Sequence, residues 1–217
     1  SATEVAALYE LEKPKPGTRY TFDEGDAGND LWVFERHGAS SDDTSSYARV
    51  ENGKLVLHDR SSDGGSVTAT LKSELPDSFR LTFTSNKTAW SGYHSVIVQD
   101  DLNGSGQSWK FGNHGSWWTH FRFGGFSGEP SSGLFSSYSS PGTFPQGSPI
   151  IYEITRLDDH ITVVANGNLI HDAQIATFTG GYLRFNNRYM GSTNWVDDLT
   201  IEDLSETIPT PLPLSPF

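Results

Sequence analysis

From Tyr20 onward, short apolar segments of strand length alternate with turn residues, and no long Ala/Leu/Glu/Lys helical run interrupts them. Strands are expected around Trp32, Leu55, Val67, Leu81, Val96, Phe111, Trp118, Ile151, Val163, Leu169, Leu183 and Val196. Such a number of short strands suits two packed sheets. The sharpest local signal is the stretch from His160 to His171, where two strand-like segments flank Asn166-Gly167, the dipeptide most typical of a tight hairpin.

The 217 residues suit a single all-β domain. We expect it to occupy residues 1–204, with 205–217, which carries Pro209, Pro211, Pro213 and Pro216, forming an extended arm or the stub of a linker. Ala2 to Leu11 has apolar residues near helical spacing and reads as a short helix or docked arm, ended by Pro14 and Pro16. Residues 124–149 are rich in Gly, Ser and Pro and read as a long surface loop. The formal charge of −12 argues against binding nucleic acid through its phosphates and against docking on an anionic membrane. No apolar run reaches the length of a membrane span. With no cysteine there is no disulfide framework and no thiol chemistry. The opening residues read as a mature terminus left after signal removal, so a secreted, extracellular protein is expected, and a monomer.

The hairpin at Asn166-Gly167, the segment Gly180-Gly-Tyr-Leu-Arg-Phe-Asn-Asn187 and the closing Trp195-Val-Asp-Asp-Leu-Thr-Ile-Glu202 together resemble the last strands of the concanavalin A-like lectin/glucanase superfamily. Tyr20-Thr-Phe-Asp, Trp32 and Glu51-Asn-Gly-Lys-Leu-Val-Leu are similar to its opening strands. The resemblance covers most of the chain and implies a two-sheet antiparallel β-jelly-roll sandwich with a concave groove on one sheet. The superfamily houses lectins, binding modules, glycoside hydrolases and polysaccharide lyases, so the fold by itself leaves function open.

Alternate residues of a strand face opposite sides, which divides each segment into a core face and a second face. On that parity Arg80, Gln99, Lys110, Trp118, His120, Arg122, Tyr182, Arg184, Asn186 and Arg188 all avoid the core. If their strands share one sheet, they line one groove. Guanidinium groups pair with carboxylates in a bidentate fashion, and a Trp face packs on a pyranose ring, so the groove suits an acidic polysaccharide. The plain alternative is the polar outer face that any antiparallel sheet carries.

Glycoside hydrolysis needs two carboxyl groups flanking the scissile bond. The Glu-x-Asp-x-Glu strand of glucanases in this superfamily is missing, which leaves hydrolysis a minor alternative. β-Elimination of a uronic-acid-containing polysaccharide needs instead a group that neutralises the carboxylate, a base for the proton alpha to it and an acid for the leaving oxygen. The face resembles the Arg/Gln/His/Tyr kit of jelly-roll alginate and glucuronan lyases, although their Gln-Ile-His strand is not present. The expected roles are His120 or Tyr182 as base and acid, and Gln99 with Arg122 on the carboxylate. Arg80, Lys110, Trp118, Arg184, Asn186 and Arg188 are the expected substrate-binding residues. Phenolate formation at Tyr182 would need a nearby Arg184 or Arg188. His58 and His94 stand in reserve as bases, whereas His37, His114, His160 and His171 read as loop or hairpin positions. A noncatalytic carbohydrate-binding module or lectin using the same groove is the reading from another class. No cofactor is required, although Asp23 and Asp198 could supply hard oxygen ligands to a structural calcium.

Overall fold

A computed structural model of the chain describes residues 17–20, 22, 27–41, 44–60, 65–87, 93–102, 108–113, 121–123, 138–139, 148–174, 181–188 and 192–205. The strands are β1 (Thr18–Tyr20), β2 (Trp32–His37), β3 (Tyr47–Glu51), β4 (Lys54–Asp59), β5 (Ser66–Glu74), β6 (Phe79–Lys87), β7 (Tyr93–Gln99) and β8 (Ser108–Asn113). They continue with β9 (Phe121–Phe123), β10 (Tyr138–Ser139), β11 (Ile150–Leu157), β12 (His160–Ala165), β13 (Asn168–Gln174), β14 (Tyr182–Arg188) and β15 (Ser192–Asp203). Among the described residues there is no α-helix, and so none long and apolar enough to cross a membrane. Each expected strand is present except the one at Trp118, which lies outside the described residues, as do Ala2 to Leu11 and the tail beyond Ser205. β10 falls inside the stretch expected as a loop and pairs with β9.

One sheet runs β13-β12-β11-β6-β15-β4-β3, with β1 also on β15, and the other runs β10-β9-β8-β7-β14-β5-β2. All the pairings are antiparallel. The inward residues of each strand fill the space between the sheets. Ile150, Tyr152 and Ile154 of β11 are buried, whereas Ile151 and Leu157 on the opposite parity are exposed. An aromatic cluster holds the centre: Phe185 meets Phe83 edge-on at 5.3 Å and Trp32 at 6.0 Å, and Phe83 stacks on Tyr152 at 5.2 Å. Burial pushes the Tyr152 hydroxyl well above its ordinary pKa, so the ring stays neutral in the core.

Polar bolts cross the interior and fix how the sheets stack. Asn187 Nδ2 donates to the Leu57 carbonyl at 3.0 Å, and its Oδ1 accepts from Asn194. His94 Nε2 lies 3.0 Å from Ser85 Oγ.

The β12–β13 turn matches its sequence signal. Asn166 (φ 47°) and Gly167 (φ 79°) both take the left-handed conformation that a type I′ hairpin requires. Asn166 also docks the tip onto β11, its amide N–H donating to the Ile151 carbonyl at 2.9 Å. A Cβ at position 167 would meet no atom within 4 Å. A Gly167→Ala variant therefore tests backbone strain alone, and we expect it to cost about 1 kcal/mol in chemical denaturation. An unchanged midpoint would mean that the turn settles into another geometry without penalty.

Candidate functional site

The strand register of the seven-stranded sheet brings most of the expected polar residues onto its second face. Val33, Thr70, Arg184, Ile97 and Lys110 oppose one another in one row across β2, β5, β14, β7 and β8. The next row reads Glu35, Thr68, Asn186, Ser95 and Gly112, and continues by backbone register to Arg122 and Tyr138. A third holds His37, Ser66 and Arg188. His120 and Trp118 lie outside the described residues.

This face is not an open surface. Gln99, Lys110, Arg184 and Asn186 are fully buried and Arg188 nearly so. The segment after β7 accounts for part of the cover, because its carbonyls take hydrogen bonds from the floor. Gln99 Nε2 donates to Asp101 O at 2.7 Å and to Leu102 O at 3.2 Å. Both amide hydrogens of Gln99 are thereby committed, so its other amide atom, Oε1, faces away as an acceptor without a hydrogen-bond partner. An acceptor suits a sugar hydroxyl, so the expected role of Gln99 as a carboxylate holder is not what this orientation offers.

Arg184 is the centre of the network. Its Nε donates to Thr70 Oγ1 at 2.8 Å, and one terminal nitrogen donates to Glu35 Oε2 at 3.2 Å and to Leu102 O at 3.3 Å. Asn186 Nδ2 reaches Ser95 Oγ at 3.5 Å. His37 Nε2 lies 3.1 Å from Thr68 Oγ1 and 3.8 Å from Glu35 Oε2.

Three expectations are corrected. Arg80 lies on β6 in the eight-stranded sheet, where it pairs with Glu202 at 2.8 Å and Glu153 at 4.0 Å, so it cannot line this face. Tyr182 is on the correct sheet, but a register shift between Tyr182 and Arg184 sets it opposite Glu74. Its hydroxyl donates to Glu74 Oε1 at 2.8 Å. That hydrogen bond first, then desolvation and the charges of Glu74 and Asp101, hold the phenol above its ordinary pKa, the reverse of what a tyrosinate base needs. His37 closes strand β2 and is no loop residue, whereas His160 and His171 lie in the β12–β13 hairpin as expected.

The reserve histidines are structural. His94 stacks on Phe185 between the sheets, and His58 Nδ1 lies 2.6 Å from Thr193 Oγ1 on the other sheet. Of the two expected calcium ligands, Asp23 lies outside the described residues and Asp198 is held by Arg19 at 2.7 Å. Among the described residues no group of three or more His, Cys, Asp or Glu side chains is arranged to hold a metal.

Glu35 and His37 join this face without an alternating signal in the sequence, because Trp32-Val-Phe-Glu-Arg-His37 runs three apolar residues and then three polar ones. With Trp32 packed on Phe185 in the core, the parity of the strand sends Val33, Glu35 and His37 to the polar face.

No protein-family model and no curated protein matches the sequence. Solved structures do match in shape. A Bacillus subtilis protein of unknown function with a galectin-like fold aligns at a TM-score of 0.64 and 9% identity, over 88% of this chain and 97% of that one. A Crh5 transglycosylase in complex with NAG aligns at 0.63 and 13% identity, over 90% of each chain. A sialidase aligns at 0.61 and 11% identity over 89% of this chain, which spans only 19% of the sialidase's length. At these identities the likeness concerns architecture alone, and it agrees with the strand order above: the chain has a two-sheet antiparallel jelly-roll fold.

Proposed function

We propose that the polar face of the seven-stranded sheet binds a carbohydrate chain that carries carboxylates, and that the protein cleaves it by β-elimination. The observation that carries this reading is the convergence of Lys110, Arg184 and Arg188 with Gln99 and Asn186 on one face of a chain whose formal charge is −12. Basic groups concentrated in a low-dielectric floor attract an anionic ligand in spite of the overall charge, because exposed fields are screened within about 8–10 Å. A transglycosylase of the same fold is solved in complex with NAG, which supports a carbohydrate ligand here. Elimination fits the groups available: hydroxyl-binding acceptors, guanidinium groups and an imidazole, with Glu35 engaged by Arg184.

A specific observation favours a second reading, a noncatalytic binding module. The Tyr182 phenol is tied to Glu74 and the floor is closed by the Asp101 and Leu102 carbonyls. One experiment separates the two. Incubation with glucuronan, alginate, ulvan and pectate is followed by the ultraviolet absorbance of the carbon–carbon double bond that elimination creates, alongside binding at rising salt. We expect new absorbance with at least one polyuronate and binding that weakens with salt. Binding without new absorbance supports the module. Equal binding of a neutral glucan removes the electrostatic argument.

A further inference from the structure

The part of the polar network that reaches solvent lies on β2. Side-chain exposure is 36% at Glu35 and 30% at His37, against none at Arg184 behind them. Glu35 also lines a depression of about 250 Å³ with Phe34, Arg36, Thr44, Ser46 and Tyr47.

His37 Nε2 lies 3.1 Å from Thr68 Oγ1, a hydroxyl that can accept a proton from it or donate one to it, and the Glu35 carboxylate, with Oε2 at 3.8 Å, favours the tautomer that carries its proton on Nε2. Nδ1 has no hydrogen bond among the described residues and keeps its lone pair. Arg184 pins the same Glu35 oxygen that faces the imidazole, so the carboxylate is oriented from behind by a group that cannot move into solvent. The charged groups facing His37 are Glu35 on its own strand and Arg184 on β14, with Arg188 across Ser66 in its row. Burial lowers the imidazole pKa; the Glu35 charge opposes this and the Arg184 charge adds to it, with a net shift downward. At neutral pH the ring is therefore uncharged and able to accept a proton.

We propose that His37, oriented by Glu35 and Thr68, is the base of this face, and that it acts on the proton alpha to a uronate carboxylate. The inference rests on the elimination reading above. Nδ1 takes the proton, and the carbon–hydrogen electron pair becomes the new carbon–carbon double bond. The bond from the beta carbon to the glycosidic oxygen breaks, and that oxygen receives the proton back from the imidazolium. No oxidant, metal or water is consumed. Arg188 lies across Ser66 in the same row, as a cation on β14. Glu35 is a positioning residue, since it acts through the imidazole.

The test uses the full chain and the polyuronate that gives absorbance in the panel. His37→Ala and the bulkier His37→Gln should each lower the rate by about 10²–10⁴-fold while polymer binding and the circular-dichroism spectrum are retained, and added imidazole should restore part of the His37→Ala rate. Glu35→Gln removes the charge that raises the imidazole pKa, so the acid limb of the pH–rate profile should move to lower pH. Unimpaired elimination by both His37 variants, or an acid limb that stays in place in Glu35→Gln, overturns the assignment of the base and leaves the elimination reading standing. Failure of the unaltered protein to produce unsaturated ends from any of the four polymers overturns the elimination reading, and the proposal with it.

Discussion

The Phe185→Ala variant is expected to lose about 3–5 kcal/mol of unfolding free energy, the range for removing a fully buried aromatic ring. Phe185 is fully buried on β14, which has hydrogen-bonded neighbours on both sides, and its ring touches Trp32, Phe83 and His94. Those contacts join both sheets, so a cavity there would be shared between layers that the rest of the strand ladder holds apart. A domain of this kind has about 5–15 kcal/mol in total, so the loss is a large fraction of it. Urea titration followed by tryptophan fluorescence measures the change. A shift worth less than about 1 kcal/mol would show that the surrounding rings close the gap, and would remove Phe185 from the centre of the core.

The Arg184→Met variant is expected to cost about 2–3 kcal/mol. The side chain is fully buried and donates to Thr70, Glu35 and Leu102 O. Methionine fills much of the volume but donates to none of them, and breaking a buried ion pair by removing one partner is strongly destabilising. We place the value below the range for a wholly buried pair because Glu35, at 36% side-chain exposure, can turn towards water once its partner is gone. Glu35→Gln, which keeps an acceptor, should cost less than half as much, and the double variant should cost less than the sum of the two. The cycle is read from the same urea titrations. Strict additivity would show that the two side chains act independently.

How far the sequence foretold this molecule depends on the range of the interaction that decides each feature. The Asn166-Gly167 hairpin is settled by two residues, and its positive φ angles are present as expected. The division of Leu183 and Phe185 from Arg184 and Asn186 follows from parity within one strand and also holds. Parity says which side of a strand a residue takes, yet it says nothing of which sheet the strand joins. Arg80 shows this, since its alternation with Leu81 was read correctly and its sheet was not. Tyr182 depends on a bulge one strand away, set by the pairing of residues more than a hundred positions apart. His37 is the last residue of β2, immediately before Gly38 with its positive φ, and the extent of that strand is set by its pairing with β5 and not by a local pattern. The direction of the Gln99 amide is fixed by two carbonyls that no pattern in the sequence could have placed.

Among the described residues β2 pairs with β5 alone, so it forms the edge of the seven-stranded sheet as described. Such a margin is a ready template for a second copy of the chain. Here it carries Arg36 on one face and Glu35 with His37 on the other. Two molecules meeting along it would have to strip water from these ionisable groups inside a continuous sheet, and that desolvation penalty opposes polymerisation. The charged side chains of this strand thus weigh against edge-to-edge association, and replacing all three with apolar residues to make an inert scaffold should raise the tendency to self-associate.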